Sequence, residues 1–494
     1  MIRLLHIIGV IAKYSFLFLL SRLKLRSRLS PKDIRSFFEE TGGSFIKFGQ
    51  LLAMRVEIFQ REYVVELMDL FDHVKPFPYE EVRHIFKKEL GVYPDELLPV
   101  FEKKPFASAS FGQVHAAKLK DGTVVAVKVQ RPGIQEDVLI DFIVIDLLSS
   151  LLDIFYKIEA MPWKHFAEEF KLWTNRELNY QIEAEFAQKI YANIVRSHIA
   201  SIVVPKTYHR YTTQKILVQE YIDAIPLSRI FKEIKKGRLT RQQLESRGIN
   251  LPETTKVLVN ELLRQYFFDN EFHADPHPGN ILLLPHNRVA LIDFGIVGRS
   301  FAAKTAFARF IYHMSANEFE TACKYFFAFA GQEIRQIIVS LLPATVDQKD
   351  IDQFIDMLAH HFAETIKSIE GKYRKDLKVK KTDYSAMMVK ILKYAQRYNI
   401  ALPKDVIIFL RAISMLGFLI KEMDYNVYLS KKIMAFFTLY PIESLPVSEE
   451  AVSYQRISRE RAVERLNQWL TYLIEIDPKL YQVVSGYIAK YTHS

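Results

Sequence analysis

The stretch FHADPHPGNILLLPHNRVALIDFG, Phe272 to Gly295, constrains this chain more than any other. It carries His273-x-Asp275, Asn280 five residues beyond Asp275, and then Asp293-Phe294-Gly295. Two carboxylates and an amide in this order suit phosphate chemistry. Asp275 is placed to meet an attacking group, while Asp293 and the amide oxygen of Asn280 hold a magnesium ion that neutralises phosphates. Between them, ILLLPHNRVALI reads as two short apolar strands about a polar turn at Pro285 to Asn287. That hairpin returns Asp293 to the side of Asn280.

A chain of 494 residues is long enough for two domains or one large two-lobed one. Hydrophobic residues make up 49% and charged residues 25%, the balance of a folded globular protein rather than a disordered one. The single cysteine, Cys323, excludes an internal disulfide, suits a reducing compartment and reads as a small buried apolar residue. The net charge of +10 is uneven: Arg3, Lys13, Arg22, Lys24, Arg26 and Arg28 place six positive charges, and no acidic one, in the first 30 residues. They are interleaved with aliphatic rather than base-stacking side chains. This speaks for an anionic membrane surface and against nucleic acid.

The same segment, LLHIIGVIAKYSFLFLLSRLKLRSR, is apolar but interrupted by His6 and Lys13. No small-residue cleavage pattern follows it. Two readings remain: a helix lying in the bilayer interface with its basic residues among headgroups, or a helix packed on the protein. The first is preferred. Later in the chain, Arg411 and Lys421 bracket the most apolar run, AISMLGFLI, and spoil it as a span.

Residues 31 to 100 look helical: Pro31 and Asp33 open a helix, Gly42-Gly43 interrupts it, and SFIKFGQLLAMRVEIF resumes it. VKPFPYEEVRHIFKKEL is a Pro-rich joint leading into an amphipathic helix, and GVYPDELLPVFEKKPF reads as a loop. From Phe106 the period changes. FASASFGQVHAAKLKDGTVVAVKVQ gives a small-residue turn, a strand, a hairpin turn at Asp121-Gly122 and a second strand ending near Lys128. This layout resembles the loop that protein kinases fold over nucleotide phosphates, with Lys128 in the V-A-V-K position that binds the α and β phosphates. The loop would comprise Phe106, Ala107, Ser108, Ala109, Ser110, Phe111, Gly112, Gln113 and Val114. Ala107 and Ala109 stand where that pattern has its first two glycines, so the backbone should approach phosphate less freely.

Lys128 needs a carboxylate partner on a following helix. Glu183, in the helical run FAEEFKLWTNRELNYQIEAEFAQKI, is the best candidate, with Glu177 and Glu185 as alternatives. The long separation is filled by PGIQEDVLIDFIVIDLLSSLLDIFYKIEAMPWK, read as an inserted helix pair whose role is packing. SIVVPKTYHRYTTQKILVQEYIDAIPL reads as two more strands around a polar turn, with Glu220 and Ile222 in a linker whose backbone meets an adenine and Gln219 behind it. FKEIKKGRLTRQQLESRG reads as a surface insertion, and PETTKVLVNELLRQYFFDN as a helix running into the central motif. Everything after Gly295 looks helical, and no A-P-E segment follows Asp293-Phe294-Gly295.

With these residues assembled, the chain resembles the UbiB/AarF-type atypical kinases, bacterial relatives of the mitochondrial coenzyme Q kinases. Four motifs carry the likeness: Lys47-Phe48-Gly49-Gln50 as K-x-G-Q, ASASFGQVH as the alanine-rich loop, ELNYQIEAEFA as the insert helix, and HADPHPGN with D-F-G. They cover the chain from about Ile34 to about Asp424. The resemblance implies an α+β, protein-kinase-like two-lobed fold: a small antiparallel-sheet N-lobe, a large helical C-lobe and helical extensions. It implies ATP or ADP with Mg2+ as cofactors, Lys47 pointing into the site, Glu177 as the first residue of the family's E-x-D pair, and Glu183 as partner of Lys128. It also implies a role in ubiquinone biosynthesis rather than protein phosphorylation, with quinone precursors or other quinone-biosynthesis proteins as partners. Two motifs depart from the pattern: Asn179 replaces the aspartate of E-x-D, and S-x-R-x-D reads Ala53, Arg55 and Glu57 here.

On this reading residues 1–30 form a membrane-surface helix and 31–100 the K-x-G-Q extension. Residues 101–225 form the N-lobe with its insert, 226–440 the C-lobe, and 441–494 a C-terminal extension. The protein is expected in the cytoplasm, peripherally attached to the inner membrane. Two functions of different class follow: an ATPase or small-molecule kinase using Asp275, Lys128, Asn280 and Asp293, or a nucleotide-binding scaffold for a lipid-biosynthetic complex.

Overall fold

The computed structural model describes residues 2–492 apart from 26, 28, 54–60, 69, 71–74, 109, 156–162, 301–302, 342–347, 378–394, 396–397, 399, 401, 424–427 and 446–456. The chain divides into two compact units, Met1–Asn250 with Asp275–Val297, and Leu251–Ala274 with Gly298–Ser494.

The first unit opens with four helices: α1 (Ile2–Arg22), α2 (Pro31–Thr41), α3 (Ser44–Ala53) and α4 (Arg61–Met68). A capping box starts α2: the Ser30 hydroxyl accepts the Asp33 N–H, Asp33 accepts the Ser30 N–H, and Pro31 sits at the first helical position. Gly42 and Gly43, with φ of 68° and 55°, end it and turn the chain into α3. Helices α5 (Tyr79–Leu90) and α6 (Pro94–Leu97) then lead to β1 (Val100–Phe101). The segment from Gly91 to Phe106, expected as a loop, therefore holds a helical turn and an edge strand, because Val100 and Phe101 find pairing partners in Lys118 and Ala117.

Strands β2 (Ala107–Ser108), β3 (Gly112–Lys118), β4 (Val124–Gln130) and β6 (Ile216–Glu220) complete an antiparallel sheet in the order β1-β3-β4-β6, with β2 also on β3. The β3–β4 hairpin turns at Gly122, φ 87°, where the Thr123 N–H donates to Asp121 Oδ1. Alternation along β4 decides what each face does. Val125, Val127 and Val129 pack with Ile216 and Val218 onto Val82 and Phe86 of α5. Lys128, one residue out of phase, belongs to the other face.

On that other face lie α8 (Trp163–Glu177) and α9 (Tyr180–Arg196). The run expected as one helix is two. Asn179 adopts extended φ and ψ, and its side chain accepts the Gln181 N–H as N-cap of α9. Before them, α7 (Ile134–Phe155) is a single helix of 22 residues where a pair was expected; residues 156–162 fall outside the described set. Its Leu139, Ile143, Leu147, Leu151 and Ile154 are exposed, so packing does not account for the whole helix.

Strand β5 (Ile202–Val203) does not join β6 as its neighbour in the sequence suggested. It runs parallel to β10 (Arg288–Leu291), which pairs with β9 (Ile281–Leu284) and through it with β7 (Ile225–Pro226). Residues 204–215, with a 3-10 turn at His209–Tyr211, carry the chain from one sheet to the other. Short helices α10 (Leu227–Lys235) and α11 (Arg241–Glu245) form the basic insertion.

The second unit begins with α12 (Leu251–Arg264), whose end widens into a π turn at Gln265–Asp269, and β8 (Glu271–His273). After Gly295 the chain is not purely helical, since β11 (Val297–Arg299) precedes the helices. These are α13 (Lys304–Ser315), α14 (Phe319–Phe329), α15 (Gln332–Leu341), α16 (Gln348–Leu377), α17 (Lys404–Met423), α18 (Leu429–Leu439), α19 (Arg459–Ile476) and α20 (Pro478–Thr492). An aromatic cluster of Tyr266, Phe267, Phe272, Phe307 and Phe409 fills the core of this unit. Buried Arg264 is held by Glu261 and Asp269.

Helix α1 is packed on the unit along one side, as the second of its two readings expected, and exposed along the other. Ile7, Val10 and Tyr14 are buried against the unit, while Leu4, Leu5, Ile8, Phe16, Phe18 and Leu19 are exposed. Its basic residues are not all held for headgroups. Lys13 pairs with Glu40 at 2.8 Å, and Arg3 grips fully buried Asp141 with two hydrogen bonds of 2.9 and 3.0 Å while also donating to the Gly42 carbonyl. Asp141 also accepts the Ser44 N–H at 2.9 Å, so one carboxylate ties α1 and α3 to α7. Removing the guanidinium strands a buried charge, which typically costs about 3–5 kcal/mol. Arg3→Ala should therefore lower the melting temperature and expose α1 to protease. Asp141→Asn in the same background should recover much of the loss, and equal melting of wild type and Arg3→Ala would show that the pair contributes nothing.

Candidate active site

The face of the first sheet opposite α5 presents Lys128, and α9 brings Glu183 to it. Lys128 Nζ lies 2.9 and 3.1 Å from the two Glu183 oxygens, 3.4 Å from Asp293 Oδ2, and 4.9 Å from the centre of the Tyr180 ring. Of the three glutamates weighed for this partner, Glu183 is the one that meets it. Burial opposes the charge on Lys128, but Asp293 and Glu183 hold its pKa well above the ordinary lysine range. Burial pushes Glu183 up to about 7 even beside that ammonium.

The β9–β10 hairpin does what its pattern predicted. Ile281 pairs with Leu291, and the Ile292 N–H donates to the Asn280 carbonyl at 3.0 Å, so Asp293 emerges beside Asn280. Asp293 takes a left-handed φ of 63°, which a short acidic side chain tolerates, and the Gly295 N–H donates to its Oδ1 at 3.2 Å. Asn280 Nδ2 donates to Asp275 Oδ2 at 2.9 Å and to the Asp275 carbonyl at 3.3 Å. This leaves the Asn280 amide oxygen and Asp275 Oδ1 for other work. Asp275 Oδ1 is buried with no hydrogen-bond partner among the described residues.

Lys47, on α3, forms a 2.7 Å ion pair with Glu177 at the end of α8. Burial opposes its charge, and Glu177, Asp293 and Asp275 together raise its pKa above the ordinary value. Lys47, Glu177 and Asp275 line one small cavity with Gln50, Trp173 and Thr174. Burial pushes Asp275 up to about 7, against the lowering effect of Lys47.

The alanine-rich loop is tied down along most of its length. Phe106 donates its N–H to the Val114 carbonyl and packs edge-on against Tyr221; Ala107 and Ser108 pair with Val114 and Gln113. Phe111 is buried and its carbonyl accepts the Arg131 N–H; Ser110 is half-buried. Ala109 lies outside the described residues. The Gln113 amide is engaged by the Phe77 backbone: it accepts the Phe77 N–H and donates to the Phe77 carbonyl. The retained glycine has a steric reason, because a Cβ on Gly112 would come within 2.6 Å of both the Tyr180 hydroxyl and the Val129 carbonyl. The Ser108 hydroxyl is buried without a partner among the described residues. Glu220 ends β6 with its N–H donated to the Lys206 carbonyl, and Ile222 is half-buried against Leu282, Leu284 and Ala290.

Two residues of this site were not singled out from the sequence. Tyr180 covers Lys128, and nothing in its surroundings in the sequence marked it. His277 accepts the Gly279 N–H on Nδ1, and its carbonyl accepts the Asn280 N–H, so it shapes the turn that presents Asn280. Burial and Lys47 drive its pKa down to about 3, which keeps it neutral. It stands inside HADPHPGN, where its spacing gave no separate signal.

The donors fit magnesium bound with a nucleotide. Among the described residues no group of three histidines, cysteines or acids forms a metal cage. Asp293 and the Asn280 amide oxygen would be the protein oxygens that hold magnesium, which takes one or two such ligands when phosphates supply more.

A lysine–glutamate pair under an antiparallel sheet, with a H-x-D-x-x-x-x-N loop and a D-F-G turn beside it, defines a protein-kinase-like fold. The model of the ABC1 atypical kinase-like domain matches residues 69–326, and the chain belongs to that family. An uncharacterised protein encoded in the hydrogenase 1 5' region of Clostridium pasteurianum is 30% identical over 84% of this chain and 72% of its own. A probable protein kinase UbiB of Marinobacter nauticus is 35% identical over 55% of this chain and 48% of its own. The chloroplastic ACTIVITY OF BC1 COMPLEX KINASE 3 of Arabidopsis thaliana is 30% identical over 64% of this chain and 43% of its own. The chain thus spans about half the length of the latter two.

The buried carboxyls give a stability test with a definite sign. The folded pKa of Asp275 is raised to about 7, so the fold favours its protonated form. Its contribution is full below the unfolded value of about 4 and is lost as pH rises through about 7. Asp275→Asn mimics the protonated form. The melting temperature of the variant should gain on wild type as pH rises from about 4 to about 7, then hold its lead. A constant difference across a pH series of thermal melts would show that Asp275 does not titrate in this range.

Proposed function

We propose that this chain binds ATP with magnesium and transfers or hydrolyses its terminal phosphoryl group at a membrane surface, in support of isoprenoid-quinone biosynthesis. The observation that carries this reading is the Lys128 ammonium, held between Glu183 and Asp293 where the α and β phosphates of a nucleotide would lie. Glu183 and Tyr180 fix its position. Asp293 and Asn280 would hold magnesium, which supplies charge neutralisation at the phosphates. Asp275, with one buried oxygen unpartnered, accepts the proton of the attacking hydroxyl or water, and Asn280 orients it. The family, and the UbiB-like relative among its members, support the quinone context. Helix α1 supports the membrane: among the described residues it is the one helix long and apolar enough to cross a bilayer. We place the protein on the cytoplasmic face of the inner membrane, with quinone precursors or quinone-biosynthesis proteins as partners.

A second reading, a nucleotide-binding scaffold without turnover, rests on a specific contact. Lys47 lines the small cavity beside Asp275 and is pinned there by Glu177, on the side where an acceptor would enter. Nucleotide turnover, measured with and without anionic vesicles and quinone precursors, separates the two.

Asp293→Asn removes a charged oxygen from a hard-cation site. The variant should keep its fold but lose the magnesium-dependent rise in melting temperature that ATP gives wild type, and an undiminished rise would remove Asp293 from the metal site. Lys47→Ala tests the obstruction. It should increase phosphoryl transfer from labelled ATP, onto the protein itself included, and Asp275→Asn in that background should return transfer to baseline. Transfer that is nil in wild type and in Lys47→Ala alike would favour the scaffold.

A further inference from the structure

Helix α8 carries a threonine that breaks the habit of this chain. Serine and threonine hydroxyls inside helices commonly bond the carbonyl four residues back. Those of Thr41, Ser150, Thr365 and Ser414 do so here, at 2.6 to 2.9 Å. Thr174, only 1% exposed, does not: its Oγ1 is buried with no hydrogen-bond partner among the described residues. Buried hydroxyls are rarely left unmatched, and this one belongs to a residue that lines the small cavity beside Asp275.

Asp275 meets the same cavity in the same condition. Its Oδ2 takes the Asn280 amide, while its Oδ1 is buried and unpartnered among the described residues. Lys47 lines the cavity as well, and spends one of its three N–H groups on Glu177 at 2.7 Å. A carboxylate oxygen that accepts, a hydroxyl that does either, and an ammonium that donates therefore surround one space. Leu51, Phe170 and Ile296 supply its apolar wall, and every residue named lies within the first unit.

The space measures about 20 Å3. One water needs roughly 10–15 Å3, so a single molecule fits and a second does not. An ordered water takes two to four polar partners, and the three groups here meet that count. A metal ion is disfavoured by the Lys47 ammonium. An alcohol is disfavoured by the volume.

We propose that this cavity binds one water molecule, oriented by the Thr174 hydroxyl onto Asp275, and that this water is the nucleophile that attacks the γ-phosphorus of ATP. The inference rests on the nucleotide reading above and narrows it: the phosphoryl group goes to water, because Lys47 and Thr174 wall larger acceptors away from Asp275. Asp275 Oδ1 takes a proton from the water as the water oxygen bonds to the γ-phosphorus. The bond from that phosphorus to the β–γ bridging oxygen breaks at the same time. The products are ADP, inorganic phosphate and a proton, which Asp275 returns to solvent.

The test is steady-state hydrolysis of magnesium-ATP by the full-length chain, with products identified by phosphorus NMR in water and in aqueous methanol. Wild type should form inorganic phosphate and no methyl phosphate. Thr174→Val keeps the shape and loses the hydroxyl, so it should lower kcat roughly tenfold and leave KM for ATP unchanged. Thr174→Ser should restore most of kcat. Leu172→Ser, on the exposed side of α8, should behave as wild type. The site is overturned by methyl phosphate from wild type, by an unchanged kcat in Thr174→Val, by a loss that falls on KM instead, or by an equal loss in Leu172→Ser. If thermal melts show that Thr174→Val does not fold, Thr174→Ser and Thr174→Ala, which differ by the hydroxyl alone, decide: Thr174→Ser should be the faster, and equal kcat values overturn the site. Turnover that survives intact in Thr174→Val removes the water site and leaves the nucleotide reading standing. ATP bound by wild type without hydrolysis also removes the water site, and ATP neither bound nor hydrolysed removes both.

Discussion

Four carboxylates, Glu177, Glu183, Asp275 and Asp293, face two ammoniums, Lys47 and Lys128, and this imbalance governs the first unit. Ionised together they leave an excess of two negative charges in a region that burial has largely removed from water. The protein meets the excess in part by pairing: Lys128 takes Glu183 and Lys47 takes Glu177. Burial, with the neighbouring carboxylates adding to it, still raises Asp275 and Glu183 to about 7. A divalent cation beside Asp293 and Asn280, the two residues that the hairpin brings together, would offset that charge. The same arithmetic explains why Lys47 and Lys128 keep their protons despite burial. Each would otherwise leave its glutamate as a lone buried charge, the most expensive arrangement available.

The sheet and its helices exist to hold this distribution of charge. Lys128 reaches α9 because valines at 125, 127 and 129 commit the other face of β4 to α5. A one-residue slip in the β3–β4 register would bury the lysine in that valine layer and leave Glu183 alone. The hairpin at Gly122 and the close fit of Gly112 under Tyr180 both oppose such a slip. On the other side, Asp141 fastens α1 and α3 to α7, so the helix that carries Lys47 is anchored through a carboxylate outside the lysine–carboxylate cluster.

Much of this was legible in the sequence, and the limits have physical causes. The β9–β10 and β3–β4 hairpins follow from local patterns, period-2 alternation and an Asp-Gly turn, whereas the meeting of Lys128 with Glu183 was one of three options on the helical run, favoured by the family resemblance rather than by spacing. What period and spacing cannot show is tertiary pairing. Ile202 and Val203 have the composition of a strand, but their partner in β10 lies far along the chain, so the wrong sheet was expected. Arg3 reads as a headgroup ligand from its place in a basic, acid-free segment; its partner Asp141 is 138 residues away. Helix α7 reads as packing because its apolar residues run around the whole helix, and only solvent exposure tells which of them are unused. Tyr180 carried no signal at all, since an aromatic over a lysine is defined by geometry alone.

Asn179 shows how a departure from a family pattern can be read from the backbone. Viewed as a lost aspartate, it subtracts one negative charge from a site already in excess. Viewed locally, it is the residue that ends α8 and begins α9, with its side chain on the Gln181 N–H. Asparagine and aspartate cap comparably well, so the helix break survives the substitution while the charge does not. Glu177 ends one helix and Glu183 sits in the first turn of the next, and the two carboxylates address different lysines. The cap therefore sets which lysine each glutamate can reach, and with Asn179 in place it does so without adding to the negative charge that Lys47 and Lys128 already have to balance.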